Sequence, residues 1–182
     1  MMTNSREWPR VMLNFLSKFV PATFAVFVIA QSAHAGVGVG LSYAGPTGDF
    51  GDIAGGGGGL HLTYEAPSNT NFAPMASVGA IAYGGIQIFG AEIQWYGYPV
   101  NVGGRLYTTE DKEGPFVEVL GGYLMKLGTV EAFGEEESES ESAWNVSPGV
   151  GVKIGQHISA KINYNIGDDD WTWLGIQAGF SF

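Results

Sequence analysis

The final twelve residues constrain the fold most. Between Trp171 and Phe182, Leu174, Ile176, Ala178, Phe180 and Phe182 share one face at a period of two. Trp173, Gly175, Gln177, Gly179 and Ser181 share the other. Successive side chains point to opposite faces in a strand and not in a helix. The segment therefore reads as an amphipathic β-strand that ends on an aromatic residue.

The same alternation recurs through most of the chain, and no segment after residue 35 shows a helical period. Seven further runs precede the last: Gly36–Tyr43, about Gly57–Glu65, about Phe72–Tyr83, about Gln94–Tyr107, about Phe116–Val130, Ala143–Ile154 and Ile158–Ile166. The third alternates least cleanly, and a one-residue slip there would exchange its two faces. Ala44–Gly56, Gly84–Glu92, Glu131–Ser142 and Gly167–Asp170 read as loops, with Ile86, Ile88 and Phe89 also able to extend either strand beside the second, and Pro67–Asn71, Thr108–Pro115 and Gly155–His157 as turns.

The N-terminus reads as an export signal. Arg6, Arg10 and Lys18 are positive, Phe19–Ala30 is a mostly apolar run, and Ala33 and Ala35 form a small-residue cleavage pattern. The run is shorter than the ~20 apolar residues of a spanning helix. Cleavage before Gly36 would divide the chain into a signal peptide, residues 1–35, and one domain, residues 36–182. That domain suits eight membrane strands of about 9–11 residues each. There is no cysteine, so neither a lipid anchor on cysteine nor a disulfide framework is available.

The position of the charges separates a membrane barrel from a soluble one. A soluble barrel must hydrate one face of every strand. Here the assigned strands hold few ionisable groups: His61, Glu65, Arg105, Glu118, Lys126, Lys153 and Lys161. All seven lie on the parity opposite the aliphatic residues. The rest of that parity is mainly Gly, Ser, Asn and Thr, which suits a narrow filled lumen. The aliphatic parity, with Tyr and Trp near strand ends, suits lipid. The expected fold is all-β: an eight-stranded antiparallel up-and-down transmembrane β-barrel behind a cleavable signal peptide.

The closing strand with its terminal Phe182, and Phe180 before it, resembles the sorting signal of bacterial outer-membrane barrels. Gly45-Pro46-Thr47-Gly48-Asp49-Phe50, Tyr98–Tyr107, Phe116–Tyr123 and Val146–Ile154 resemble the small OmpA-transmembrane/OmpX-like barrels. The resemblance implies residence in the outer membrane of a diderm bacterium, contact with its lipid and lipopolysaccharide, and delivery by the barrel-assembly machinery. The family spans adhesins, anchors and lipid-modifying enzymes, so membership does not settle activity.

Two constellations are candidates for function. The seven lumen-facing ionisable residues form either an ion path or a structural plug. Arg105 and Glu118 sit on consecutive strands near one turn, and Glu65, Lys126, Lys153 and Lys161 complete the expected network. The second constellation is acidic: Glu135, Glu136, Glu137, Glu139 and Glu141 in one expected loop, and Asp168, Asp169 and Asp170 in another. Carboxylates there suit a divalent cation or a basic partner, although the spacing matches no EF-hand.

The net charge of −10 falls to −12 once the leader is removed. That surface repels nucleic acid. No metal or cofactor is expected, and no nucleophile–base signature supports catalysis. His61 and His157 are the histidines an enzyme reading would need. The leading expectation is a structural or cell-surface interaction role. The alternatives are a narrow channel, a lipid-modifying enzyme and a soluble periplasmic barrel.

Overall fold

In the computed structural model, residues 36–88, 91–132, 135–167 and 171–182 are described. Residues 1–35, where the signal peptide is expected, lie outside them. The described strands are β1 (Gly36–Thr47), β2 (Gly55–Glu65), β3 (Phe72–Ile88), β4 (Ala91–Tyr107), β5 (Gly114–Ala132), β6 (Glu135–Ile154), β7 (Ile158–Gly167) and β8 (Thr172–Ser181). Each pairs antiparallel with the next, and β1 closes on β8 from Gly38↔Ser181 to Thr47↔Thr172. The result is a closed eight-stranded up-and-down barrel with no free lateral edge along its paired length. Both chain ends of the barrel, and the turns after β2, β4 and β6, lie at one end, called here the terminal end. The other is the far end.

The parity expected from sequence holds in every strand. Leu41 is 67% and Val102 65% exposed in mid-strand, and Val119, Val150, Ile162 and Ile176 also face outward. This is the band a lipid surface requires and a water-soluble surface does not. Tyr43, Trp144 and Tyr164 stand outward toward the far end, and Phe72, Phe180 and Phe182 toward the terminal end. No helix among the described residues is long and apolar enough to cross a membrane.

Three expected loops are different structures. Ala44–Gly56 contains a short helix, α1 (Asp49–Ile53), entered through Gly48 at a φ of 61°. Gly84–Glu92 is largely strand: β3 runs on to Ile88 and β4 begins at Ala91, with a register shift between Tyr83 and Ile86. In the acidic segment, Glu131 and Ala132 end β5 and Glu135–Ser142 begin β6, so its described residues are also strand. β6 pairs with β5 out to Ala132↔Glu135. Backbone hydrogen bonding to β5 holds this stretch, and beyond the lipid band neither face has to be apolar. The barrel wall is therefore uneven: β3–β6 hold 17 to 20 residues each, while β7 and β8 hold ten.

The C-terminal strand is pinned at the terminal end. The Ser181 N–H donates to His157 O at 2.7 Å and the Phe182 N–H to Val37 O at 2.9 Å. His157 returns an Nδ1–H bond to Ser181 O at 2.8 Å, and its ring stacks on Phe180. In the β4–β5 turn, hydrogen bonds from the Thr109 side chain and the Glu113 backbone hold the Asp111 carboxyl below the usual carboxylate range.

Candidate functional site

The lumen is filled in three layers. The layer nearest the terminal end is ionic. Antiparallel register places Arg105 opposite Glu118, and both side chains point inward and are buried. The guanidinium donates to Glu118 Oε2 through Nε at 3.0 Å and Nη2 at 2.6 Å. Lys161 donates to the other oxygen of the same carboxylate. Arg105 Nη1 lies 3.4 Å from Glu65 Oε2, and the Tyr107 hydroxyl donates to that oxygen at 2.8 Å. Lys153 approaches Glu65 at 3.9 Å. The guanidinium also lies over the Phe116 ring, 4.0 Å from its centroid. Five strands thus contribute five charges to one cluster that crosses the barrel.

The middle layer is polar and neutral: Asn101, Asn145, Ser147, Asn163 and Asn165. Asn163 donates to Ser147 at 2.9 Å. A cavity of about 20 Å³ lies among them, room for about one water. To one side His61 Nε2 meets the Ser42 hydroxyl at 2.8 Å, and the His61 ring occupies the space that a side chain at Gly79 would need. No acidic group bonding to this pair is seen among the described residues.

The layer at the far end is aromatic. Phe50, Tyr83, Trp171 and Trp173 pack with Ala44, Ala54, Ile81 and Leu124, and Trp95 lies against them. Phe50 stacks on Trp171 at 4.0 Å. Gly128 makes room for Trp95, since a Cβ there would lie 2.6 Å from the indole.

The expected seven-residue network is therefore divided. Glu65, Arg105, Glu118, Lys153 and Lys161 are brought together, and His61 stands above them with Ser42. Lys126 does not join them. Its position on β5 carries it to the far end, 3.9 Å from Glu141 and 5.3 Å from the centre of the Trp171 ring. Of the acidic constellation, Glu137, Glu139 and Glu141 stand exposed on β6. Glu135 and Glu136 belong to the same strand, with side chains outside the described ones. Asp168, Asp169 and Asp170 lie outside the described residues. No cluster of metal-ligating side chains is found among those described.

Sequence reasoning did not single out Tyr107 and Phe116 in the ionic layer, or the aromatic layer as a unit. Strand parity was the available signal. Trp95 shares a face with Asn101 and Arg105, and Trp171 shares one with Trp173.

The profile of the family described as "Outer membrane protein beta-barrel domain" matches residues 19–182. No curated protein sequence matches the chain. Solved structures with the same fold include Ail, the attachment invasion locus protein of Yersinia pestis, at 17% identity. That structure has a TM-score of 0.61 and covers 81% of this chain and 97% of its own. Ail has also been solved in complex with the heparin analogue sucrose octasulfate, with a TM-score of 0.64. The N-terminal β-barrel domain of Pseudomonas aeruginosa OprF aligns at 11% identity and TM-score 0.55, covering 81% of this chain and 97% of that one. Neisserial surface protein A aligns at 11% and 0.53, covering 82% and 96%.

Proposed function

The chain belongs to the outer membrane protein beta-barrel domain family, and from that premise we propose that it serves the bacterial cell surface as a closed, non-conducting and non-catalytic barrel. The observation that carries this reading is the filling of the lumen at both ends. The ion cluster occupies one end, with a cavity of about 30 Å³ beside it on the β1–β8 side, and the aromatic layer occupies the other, with a cavity of about 20 Å³ between the two layers. An eight-stranded barrel is just wide enough to be filled by side chains. Catalysis is disfavoured because His61 sits inside the closed lumen and His157 is engaged with the C-terminal backbone.

In this reading residues 1–35 are a cleaved signal peptide, the aliphatic band meets outer-membrane lipid and lipopolysaccharide, and Phe180 and Phe182 are the signal read by the barrel-assembly machinery. The far end faces outward from the cell.

Adding the refolded protein to a planar bilayer tests closure. The expected result is insertion without conductance steps. Regular steps whose ion selectivity changes in Arg105→Gln or Glu118→Gln would establish the channel instead.

The charge of the far end limits its partners. Glu137, Glu139 and Glu141 on β6, with Asp49 and Asp52 on α1, are acidic and exposed. A polyanion such as the heparin analogue held by Ail would be repelled, while a divalent cation or a basic partner would be attracted. Passed over immobilised heparin and immobilised polylysine at low salt, the protein is expected to stay only on polylysine and to elute as salt rises. Retention on heparin would overturn this assignment.

A further inference from the structure

The aromatic layer has an unusual division of parts. Tyr83, Trp95 and Trp171 belong to the barrel wall or its immediate continuation. Phe50 belongs to α1 and is that helix's only buried residue. The helix is bordered by Gly48 on one side and the run Gly55–Gly59 on the other. One aromatic ring, on a loop bounded by glycines, therefore fills a cage built by the wall. The ring stacks on Trp171 at an interplanar angle of 18° and meets Tyr83 and Trp95 edge-on, at 5.0 and 6.4 Å.

Phe50 is an imperfect occupant. The Tyr83 hydroxyl and the Trp95 indole N–H are buried and have no hydrogen-bond partner among the described residues. Buried donors are nearly always paired in folded proteins, and a phenyl ring offers these two no acceptor atom. We propose that the cage is a binding site for a flat, uncharged ring bearing a hydrogen-bond acceptor oxygen, and that Phe50 is its built-in competitor. Charge on both sides sets the neutrality. The Lys126 ammonium over Trp171 disfavours a cation. Asp49, Asp52, Glu137, Glu139 and Glu141 around the far end disfavour an anion. The stacked geometry selects a planar ring.

The test uses the full chain, ¹⁵N-labelled and refolded in detergent micelles, with acetophenone as probe and toluene as a control lacking an acceptor. Indole N–H signals are followed. Phe50→Ala vacates the cage without altering its walls, and is expected to bind acetophenone at least ten-fold more tightly than the parent. The Trp95 indole proton moves downfield with acetophenone and not with toluene. Trp144, exposed on the lipid face, reports partitioning into the micelle and moves alike in both proteins. Adding Trp171→Leu to Phe50→Ala removes the gain. If Phe50→Ala does not fold, Phe50→Leu is expected to show a smaller gain of the same kind. Identical titrations in parent and variant, or a Trp95 shift that merely follows Trp144, would overturn the proposal.

Discussion

Replacing Glu118 with glutamine is expected to destabilise the barrel by about 3–5 kcal/mol, the usual cost of removing one partner from a buried ion pair. The reason lies in the arithmetic of the cluster. Glu118 is 1% exposed and its carboxylate bonds to both Arg105 and Lys161. Glutamine keeps the shape and loses the charge, so two buried cations are left with Glu65 alone, which already receives Tyr107 and Lys153. Urea unfolding from phospholipid vesicles, followed by tryptophan fluorescence, measures the loss. Adding Lys161→Met to Glu118→Gln removes one orphaned cation and should recover part of it, the coupling that a double-mutant cycle isolates. A single-variant loss under 1 kcal/mol would show that water reaches the cluster and that the terminal end is not sealed.

Placing arginine at Val119 is expected to cost about 2–4 kcal/mol, the penalty for a cation on the lipid face near mid-depth. Val119 is 58% exposed, and its cross-strand neighbours are Gly104 and Pro148. Neither offers the guanidinium a partner. In a water-soluble barrel the same change would be a surface substitution worth no more than about 0.5 kcal/mol. Val119→Leu controls for shape and should stay close to the parent. Equal stability of Val119→Arg and Val119→Leu in vesicles would move this face out of lipid.

Strand number, order and the inward or outward sense of each residue were legible in the chain, because closure around a narrow lumen enforces a strict two-residue period. Even the third run, whose Val78, Ala80 and Ala82 alternate with Ser77, Gly79 and Ile81, kept its parity. The heights of the strands were not legible. Glu135–Ser142 has no apolar face, and the rule that finds strands by hydrophobic alternation is blind where both faces meet water. Only pairing with β5 defines the structure there. Arg105 and Glu118 were predictable neighbours because they flank one turn. Lys126 was misplaced because parity gives direction into the lumen and not height along it. The aromatic layer was hidden for a related reason: a tryptophan near a strand end looks the same in sequence whether it faces lipid, as Trp144 does, or the lumen, as Trp173 does.

The uneven wall has a further consequence. At about 3.3 Å per residue and a tilt near 45°, the ten residues of β8 rise roughly 23 Å and the twenty of β6 roughly 46 Å. The low side just matches an apolar band of about 25 Å, while the high side overtops it by a similar amount. A molecule of this shape has a front and a back in the plane of the membrane. Anything approaching sideways, lipid or protein, meets a low sill from one direction and an acidic parapet from the other.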